Sequence, residues 1–142
     1  YNGSFAYSLT LCTHKRNSHL NSAELISVIL RRLKESASRY CFYVIAYTFM
    51  PDHLHILVRG EEGSVLKGFV RHFKQASGYD FKKRHGEPLW HLSYYDHILR
   101  KDEDIMATAR YILENPVRKG LVKEFRDYPF SGSFEYDVAE ML

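Results

Sequence analysis

Two histidines with one residue between them, His53-Leu54-His55, open an apolar run that continues through Ile56-Leu57-Val58. On a strand, successive side chains point to opposite faces, so both imidazoles leave one face and Leu54 the other. Two imidazoles side by side make two arms of a metal site. Zinc, manganese and magnesium are all conceivable there, and two donors do not choose among them. The same pattern also describes two half-buried histidines on a sheet face. Farther along, Tyr111 and Asn115 stand four apart in a stretch with helical spacing, which stacks them on one helix face. A phenol, an amide oxygen and two imidazoles can then meet at one ion.

The motif Met50-Pro51-Asp52-His53-Leu54-His55, joined to Tyr111-Ile112-Leu113-Glu114-Asn115-Pro116-Val117-Arg118, resembles the REP-associated tyrosine transposases. These belong to the wider class of single-tyrosine HUH transposases (His, hydrophobic residue, His) of small bacterial insertion sequences. The likeness covers residues 8–136 and takes in the Trp90 region and Tyr94-Tyr95-Asp96-His97-Ile98-Leu99-Arg100. Either motif alone is weak; the pair in this order and separation is specific. Asp52 stands where asparagine is frequent in the family, and Lys119 where alanine often follows the arginine. Neither touches the expected nucleophile, but each bears on DNA contacts.

The resemblance implies metal-dependent cleavage and strand transfer of single-stranded DNA through a 5′-phosphotyrosine link, with a free 3′-OH. A protonated phenol, with a reference pKa near 10, is a poor nucleophile. It attacks phosphorus once a base takes its proton and a cation polarises the phosphate. Tyr111 is the expected catalytic residue, because a helix can present it across the histidine strand and its surroundings match the family motif. Tyr94 and Tyr95 are its rivals, alternating on an extended segment so that one can face the core and the other DNA. His97 reads as a proton shuttle, a phosphate contact or a structural hydrogen-bond partner.

The expected metal ligands are His53, His55 and Asn115, with Glu114 in reserve and Gln75, on a different helix, a weaker reserve. An amide oxygen suits a hard ion, Mg²⁺ or Mn²⁺, with waters filling the remaining positions. Lys15, Arg16, Arg71, Lys74, Arg118 and Lys119 are the candidate DNA-binding cations, placed to hold backbone phosphates. The expected partner is single-stranded DNA or a hairpin with a single-stranded flank, bound by a monomer or a homodimer. The alternative reading is a domesticated, non-catalytic nucleic-acid binder on the same fold. A metallohydrolase that uses Tyr111 only as a phosphate contact is the third.

Composition sets the bounds. At 142 residues, the chain is expected to form a single domain over 1–142 with one core. An apolar share of 45% fits a folded protein, and no apolar run approaches 18 residues, so no membrane partner is expected. No signal peptide is visible, and a cytoplasmic location is the expectation. A net charge of +3 permits a nucleic-acid partner without demanding one. Cys12 and Cys41 lie inside apolar, strand-like runs and read as small core residues rather than a disulfide framework. Eleven tyrosines and nine phenylalanines leave some rings for base stacking after the core is filled.

The elements that must position these groups follow from periodicity. Alternation over 5–13 predicts a half-buried strand. Ser22 or Asn21 caps a helix whose Leu25, Ile26, Ile29, Leu30 and Leu33 repeat at helical spacing. Strands over 40–49 and 53–59 flank Met50-Pro51-Asp52 and pair antiparallel. Ser64 caps a further helix bearing Val65, Leu66, Phe69, Val70 and Phe73 and ending near Gly78, before a basic turn over 82–86. Trp90 reads as core or a strand anchor. Residues 93–99 form a short strand, and Asp102 caps a helix that ends at Asn115-Pro116. This order predicts an α+β, ferredoxin-like sandwich, an antiparallel sheet with helices mainly on one face.

Overall fold

The computed structural model describes residues 5–142; the first four residues of the expected single domain lie outside the described residues. Four strands come first from local pattern: β1 (Ala6–Cys12), β2 (Phe42–Met50), β3 (His53–Gly60) and β4 (Tyr95–Leu99), with the two-residue β5 (Ser131–Gly132) near the end. They form one fully antiparallel sheet in the order β4-β1-β3-β2-β5. The long helices are α1 (Ala23–Tyr40), α2 (Leu66–His85) and α3 (Asp102–Leu113). The order of the first four strands is the ferredoxin-like one, with β5 added outside β2.

The sheet separates two cores. Leu9 and Leu11 of β1, and Leu54, Ile56 and Val58 of β3, point toward α1 and α2, where Ile29, Leu33, Phe69 and Phe73 meet them. Ala6 and Leu57 point the other way, under α3, whose Ile105, Ala109 and Ile112 recur at helical spacing. Two of the three long helices therefore share one face, and α3 lies across the other, against β2 and β3. In β2 the alternation breaks once. Val44 pairs with Val58 and Ala46 with Leu57, so Ile45 is an extra residue, a bulge that puts Ile45 and Ala46 together under α3.

Several local expectations change. The second helix does not stop at Gly78; it runs to His85 and ends at Gly86, whose φ of 76° suits a glycine after a helix. The cost of Gly78 is outweighed by Phe81, which is 1% exposed in the core beyond it. Residues 82–85 are thus the last helical turn, where four basic side chains suit the helix dipole. Ser64 does not cap this helix, because its hydroxyl accepts from the Glu61 amide and donates to the Cys41 carbonyl. Asp102 is the first helical residue of α3 rather than its cap, and its carboxylate holds Arg59.

Other positions behave as read. Ser22 caps α1 through the Leu25 amide; Tyr40, by contrast, is expected to open the second strand and is instead that helix's last residue, with β2 starting at Phe42. Trp90 is 6% exposed, bridges to Thr13 of the β1 end, and donates from Nε1 to Ser77. Cys41 departs from the expected core role: it is exposed, with φ of 61°, closing α1 in the left-handed conformation. Cys12 is only half-buried and accepts from Arg16 Nη1 at 3.3 Å.

Candidate active site

The histidines occupy the start of β3 on the α3 face. Strand register places Cys12 and Met50 beside His53, and Thr10 and Thr48 beside His55. The two rings lie edge to face with centroids 4.7 Å apart. His53 Nδ1 donates to Asp52 Oδ1 at 2.7 Å, and His55 Nδ1 lies 3.1 Å from Thr10 Oγ1. In the tautomers that donate from Nδ1, each ring keeps the Nε2 lone pair for a metal, and the outer partner fixes the ring's direction. Among the described residues no hydrogen bond engages either Nε2.

Burial, the neighbouring His53, and the positive charges of Arg118 and Lys119 push the His55 pKa down to about 4. A neutral imidazole is the form that binds a metal. Burial works against the Asp52 carboxylate, but hydrogen bonds from His53 and Arg16 hold its pKa below the usual value. That arginine comes from the turn His14–Arg16, where Lys15 and Arg16 both adopt positive φ, 55° and 56°. Left-handed geometry in non-glycine residues costs about 1 kcal/mol or more each. The Arg16–Asp52 pair (3.1 Å) and the bond from Thr13 Oγ1 to the Asn17 carbonyl (2.8 Å) hold the turn in place.

The end of α3 is fixed over this site by one buried hydroxyl. Thr48 Oγ1, fully buried, donates to the Ile112 carbonyl at 3.0 Å and accepts from Ser131 Oγ at 3.0 Å. Tyr111 is therefore adjacent to a residue tied directly to the lateral neighbour of His55. Its side chain is 63% exposed and lines an open cleft of about 430 Å³ with His97 and Leu99 of β4 and Asp104, Ala107 and Thr108 of α3. After Glu114, whose φ and ψ of −85° and −4° barely interrupt the spiral, α4 (Asn115–Arg118) continues in helical geometry. Asn115 is 5% exposed.

Arg118 gathers these groups. Its Nη2 donates to the Tyr111 carbonyl at 2.7 Å and to Asn115 Oδ1 at 3.2 Å, and its guanidinium carbon stands 3.7 Å from the Tyr111 ring centroid. A carboxamide oxygen has two lone pairs, so this bond leaves one for an ion. Glu114, the reserve ligand, is exposed. Gln75 is not near the histidines: it lies on α2, across the sheet, because α2 packs on the opposite face. Among the described residues no three His, Cys, Asp or Glu side chains cluster as a metal site. The sheet presents two imidazoles on this face; with the Asn115 amide as a third donor, the set would suit a divalent ion completed by water or phosphate oxygens.

Tyr94 and Tyr95 separate as alternation requires. Tyr94 is half-buried on the α2 side, while Tyr95, 72% exposed, pairs with Thr10 and shares the face of His55. Of the six candidate DNA-binding cations, Lys15, Arg16, Arg71, Arg118 and Lys119 are exposed and Lys74 is half-buried. Arg16 and Arg118 already hold the partners described above. Lys74 Nζ donates to the His91 and Leu92 carbonyls, and burial lowers its pKa. Arg71 and Lys74 lie across the sheet from the histidines, on α2. Sequence reasoning missed Thr10 and Thr48, since nothing local marks a threonine as the register partner of a histidine in another strand. Asp52, adjacent to His53, was the one partner the sequence could have flagged.

An antiparallel ferredoxin-like sheet carries the paired histidines on one face, and the helix that bears Tyr111 packs on that same face. The chain belongs to the family described as transposase, IS200-like, whose family model matches residues 2–115. It is 30% identical over 117 residues to a protein of Haemophilus influenzae named as a REP-associated tyrosine transposase, covering 74% of this chain and 66% of the relative. It is also 30% identical over 106 residues to the REP-associated tyrosine transposase of Escherichia coli K12, covering 71% and 59%. The chain thus spans less than two thirds of the length of these relatives. The structure of a REP-associated tyrosine transposase bound to a REP hairpin superposes with a TM-score of 0.79 at 22% identity, over 98% of this chain and 81% of that one. That likeness shows the fold.

Proposed function

We propose that this chain is a metal-dependent, single-tyrosine transposase that cuts and rejoins single-stranded DNA presented as, or beside, a hairpin. The observation that carries the reading is the pair of oriented histidines under the end of the helix that presents Tyr111. The partner named for the structural relative, a REP hairpin, is the substrate class assigned to this chain. Among the described residues no helix is long and apolar enough to cross a membrane.

His53 and His55 would hold Mg²⁺ or Mn²⁺, with Asn115 as the third protein ligand, and the ion would supply Lewis-acid polarisation of the scissile phosphate. Tyr111 Oη gives up its proton and attacks phosphorus; the bond from phosphorus to the 3′-oxygen breaks, and that oxygen leaves as a 3′-OH after taking a proton. The phosphotyrosine ester retains the bond energy, so a 3′-OH from another strand reverses the step and joins DNA without ATP. Arg118 aligns the tyrosine ring, and Lys119 and Lys15 are exposed cations for flanking phosphates. A strand held open threads between tyrosine and histidines, whereas a duplex must first melt.

The test is a denaturing gel of protein with labelled single-stranded and hairpin DNA in Mg²⁺ or Mn²⁺. A slow-migrating covalent species is expected, and it disappears with chelator and with Tyr111→Phe. Cleavage surviving in Tyr111→Phe moves the nucleophile to Tyr95, Tyr94 or water. Binding with no covalent species under either metal establishes the non-catalytic binder instead.

A further inference from the structure

Across the sheet from the histidines, an open groove of about 660 Å³ runs between α2 and the segment over 88–94. Four cations line it, Lys67, Arg71, Lys74 and Lys82, and among the described residues no carboxylate does. The same walls keep large apolar groups in water: Tyr79 is 64% exposed and Leu92 98%. A merely soluble surface has no need of that combination. A ligand that suits it carries regular negative charge and free flat apolar faces together. Unpaired nucleotides do so; in a duplex the bases are stacked away and only phosphates remain on offer.

The groove is built rather than incidental. Lys74 reaches across it from α2 to the His91 and Leu92 carbonyls, at 2.8 and 3.0 Å, with its ammonium 5.8 Å from the Tyr94 ring centroid. The far wall is tied to the end of β1 by the His91 amide on the Cys12 carbonyl and by the Thr13–Trp90 bridge. That strand end is also where Cys12 pairs with His53. Tyr94 and Tyr95 then straddle the sheet edge, since β4 is its outermost strand. Tyr94 lines the groove; Tyr95 emerges on the other face in the same row as Thr10 and His55. Two strand spacings, about 10 Å, separate Tyr95 from His55.

We propose that this groove is a second nucleic-acid site, which holds an unpaired stretch of DNA and passes it round the β4 edge, over Tyr95, to the histidine face. Bases stack on Tyr79 and Tyr94, and backbone phosphates meet Lys67, Arg71 and Lys82. Lys74 positions the wall rather than the ligand. The proposal rests on the single-stranded DNA reading above and assigns where the strand lies before it reaches the tyrosine.

Fluorescence anisotropy with a blunt hairpin, and with the same hairpin carrying an oligothymidine flank, tests it on the full chain. The double variant of Tyr79→Ala and Arg71→Ala changes only exposed residues, and a thermal melt checks its fold. It is expected to lose about tenfold or more in affinity for the flanked hairpin and to bind the blunt one unchanged. Photo-crosslinking with 5-iodouracil in the flank is expected on Tyr79 or Tyr94 peptides. Equal affinity of wild type and variant for the flank overturns the groove, as do crosslinks confined to α3. The Tyr111 covalent species is scored in parallel. Its formation together with undiminished flank binding overturns the groove and leaves the transposase reading standing. Loss of flank binding in the variant, with no covalent species from wild type, supports the groove and overturns that reading.

Discussion

On the α1/α2 face of the sheet, nineteen buried residues of the described chain form one apolar cluster in which Phe42, Phe49, Phe69, Phe73, Phe81 and Trp90 supply the bulk. On the α3 face the cluster has ten, three of them alanines, and beside it runs a polar row: Thr10, His55, Thr48 and Ser131 on four neighbouring strands. The first face is filled for stability. The second has small side chains under the helix and hydroxyls where the imidazoles must be aimed. Buried polar groups need partners, so each hydroxyl in that row is spent on an imidazole, a helix carbonyl or another hydroxyl. One sheet thus separates the load of folding from the placing of reactive groups.

The sharpest way to break the contrast is on the apolar side. Phe69 is fully buried and packs its ring 5.0 Å from that of Phe42. Phe69→Ala should cost about 3–5 kcal/mol in urea unfolding. The residual folded protein should still form the Tyr111 adduct, because the histidine face does not use that ring. A comparable loss of adduct per folded molecule would show that the two faces are not separable.

The next effect belongs to His55 and depends on pH. In the folded, chelator-treated protein its pKa is about 4, against 6.5 for an unconstrained histidine. The unfolded chain therefore binds this proton more readily. The stabilisation is complete above pH 6.5 and is lost as pH falls toward 4, with a ceiling of about 3 kcal/mol. Urea midpoints of wild type and His55→Gln across that window should converge as the pH drops. Parallel curves would assign the pH dependence to other groups.

The smallest effect probes the tie between sheet and helix. Thr48→Val removes the bond to the Ile112 carbonyl and the one from Ser131, at a cost of about 1 kcal/mol in stability. Adduct formation should fall by more than that loss of folded protein explains, since Tyr111 follows the turn that Thr48 holds. A rate that merely tracks the folded fraction would make Thr48 a packing residue alone.

Much of this was legible in the chain itself. Alternation placed both histidines on one face, and a spacing of four placed Tyr111 and Asn115 together, because these are short-range consequences of strand and helix geometry. The strand–helix order gave the antiparallel sheet and its fold class. What local pattern misjudged were positions where tertiary contacts outweigh local preference. Gly78 lies within a helix because Phe81 beyond it is buried, and Ser64 spends its hydroxyl on Cys41 rather than on a helix end.

The placing of the site was a tertiary decision. No sequence rule pairs Thr10 and Thr48 with His55, since register between strands far apart in the chain is set by the packing of whole faces. Nor does a run of basic residues reveal that Arg16 is committed to Asp52 and Arg118 to Tyr111 and Asn115, or that Arg71 and Lys74 end up across the sheet. Composition and spacing determined which chemistry the chain carries: two imidazoles, a phenol, an amide and a set of cations. Only the folded sheet, by putting some of them on one face and the rest on the other, decided which of them can act together.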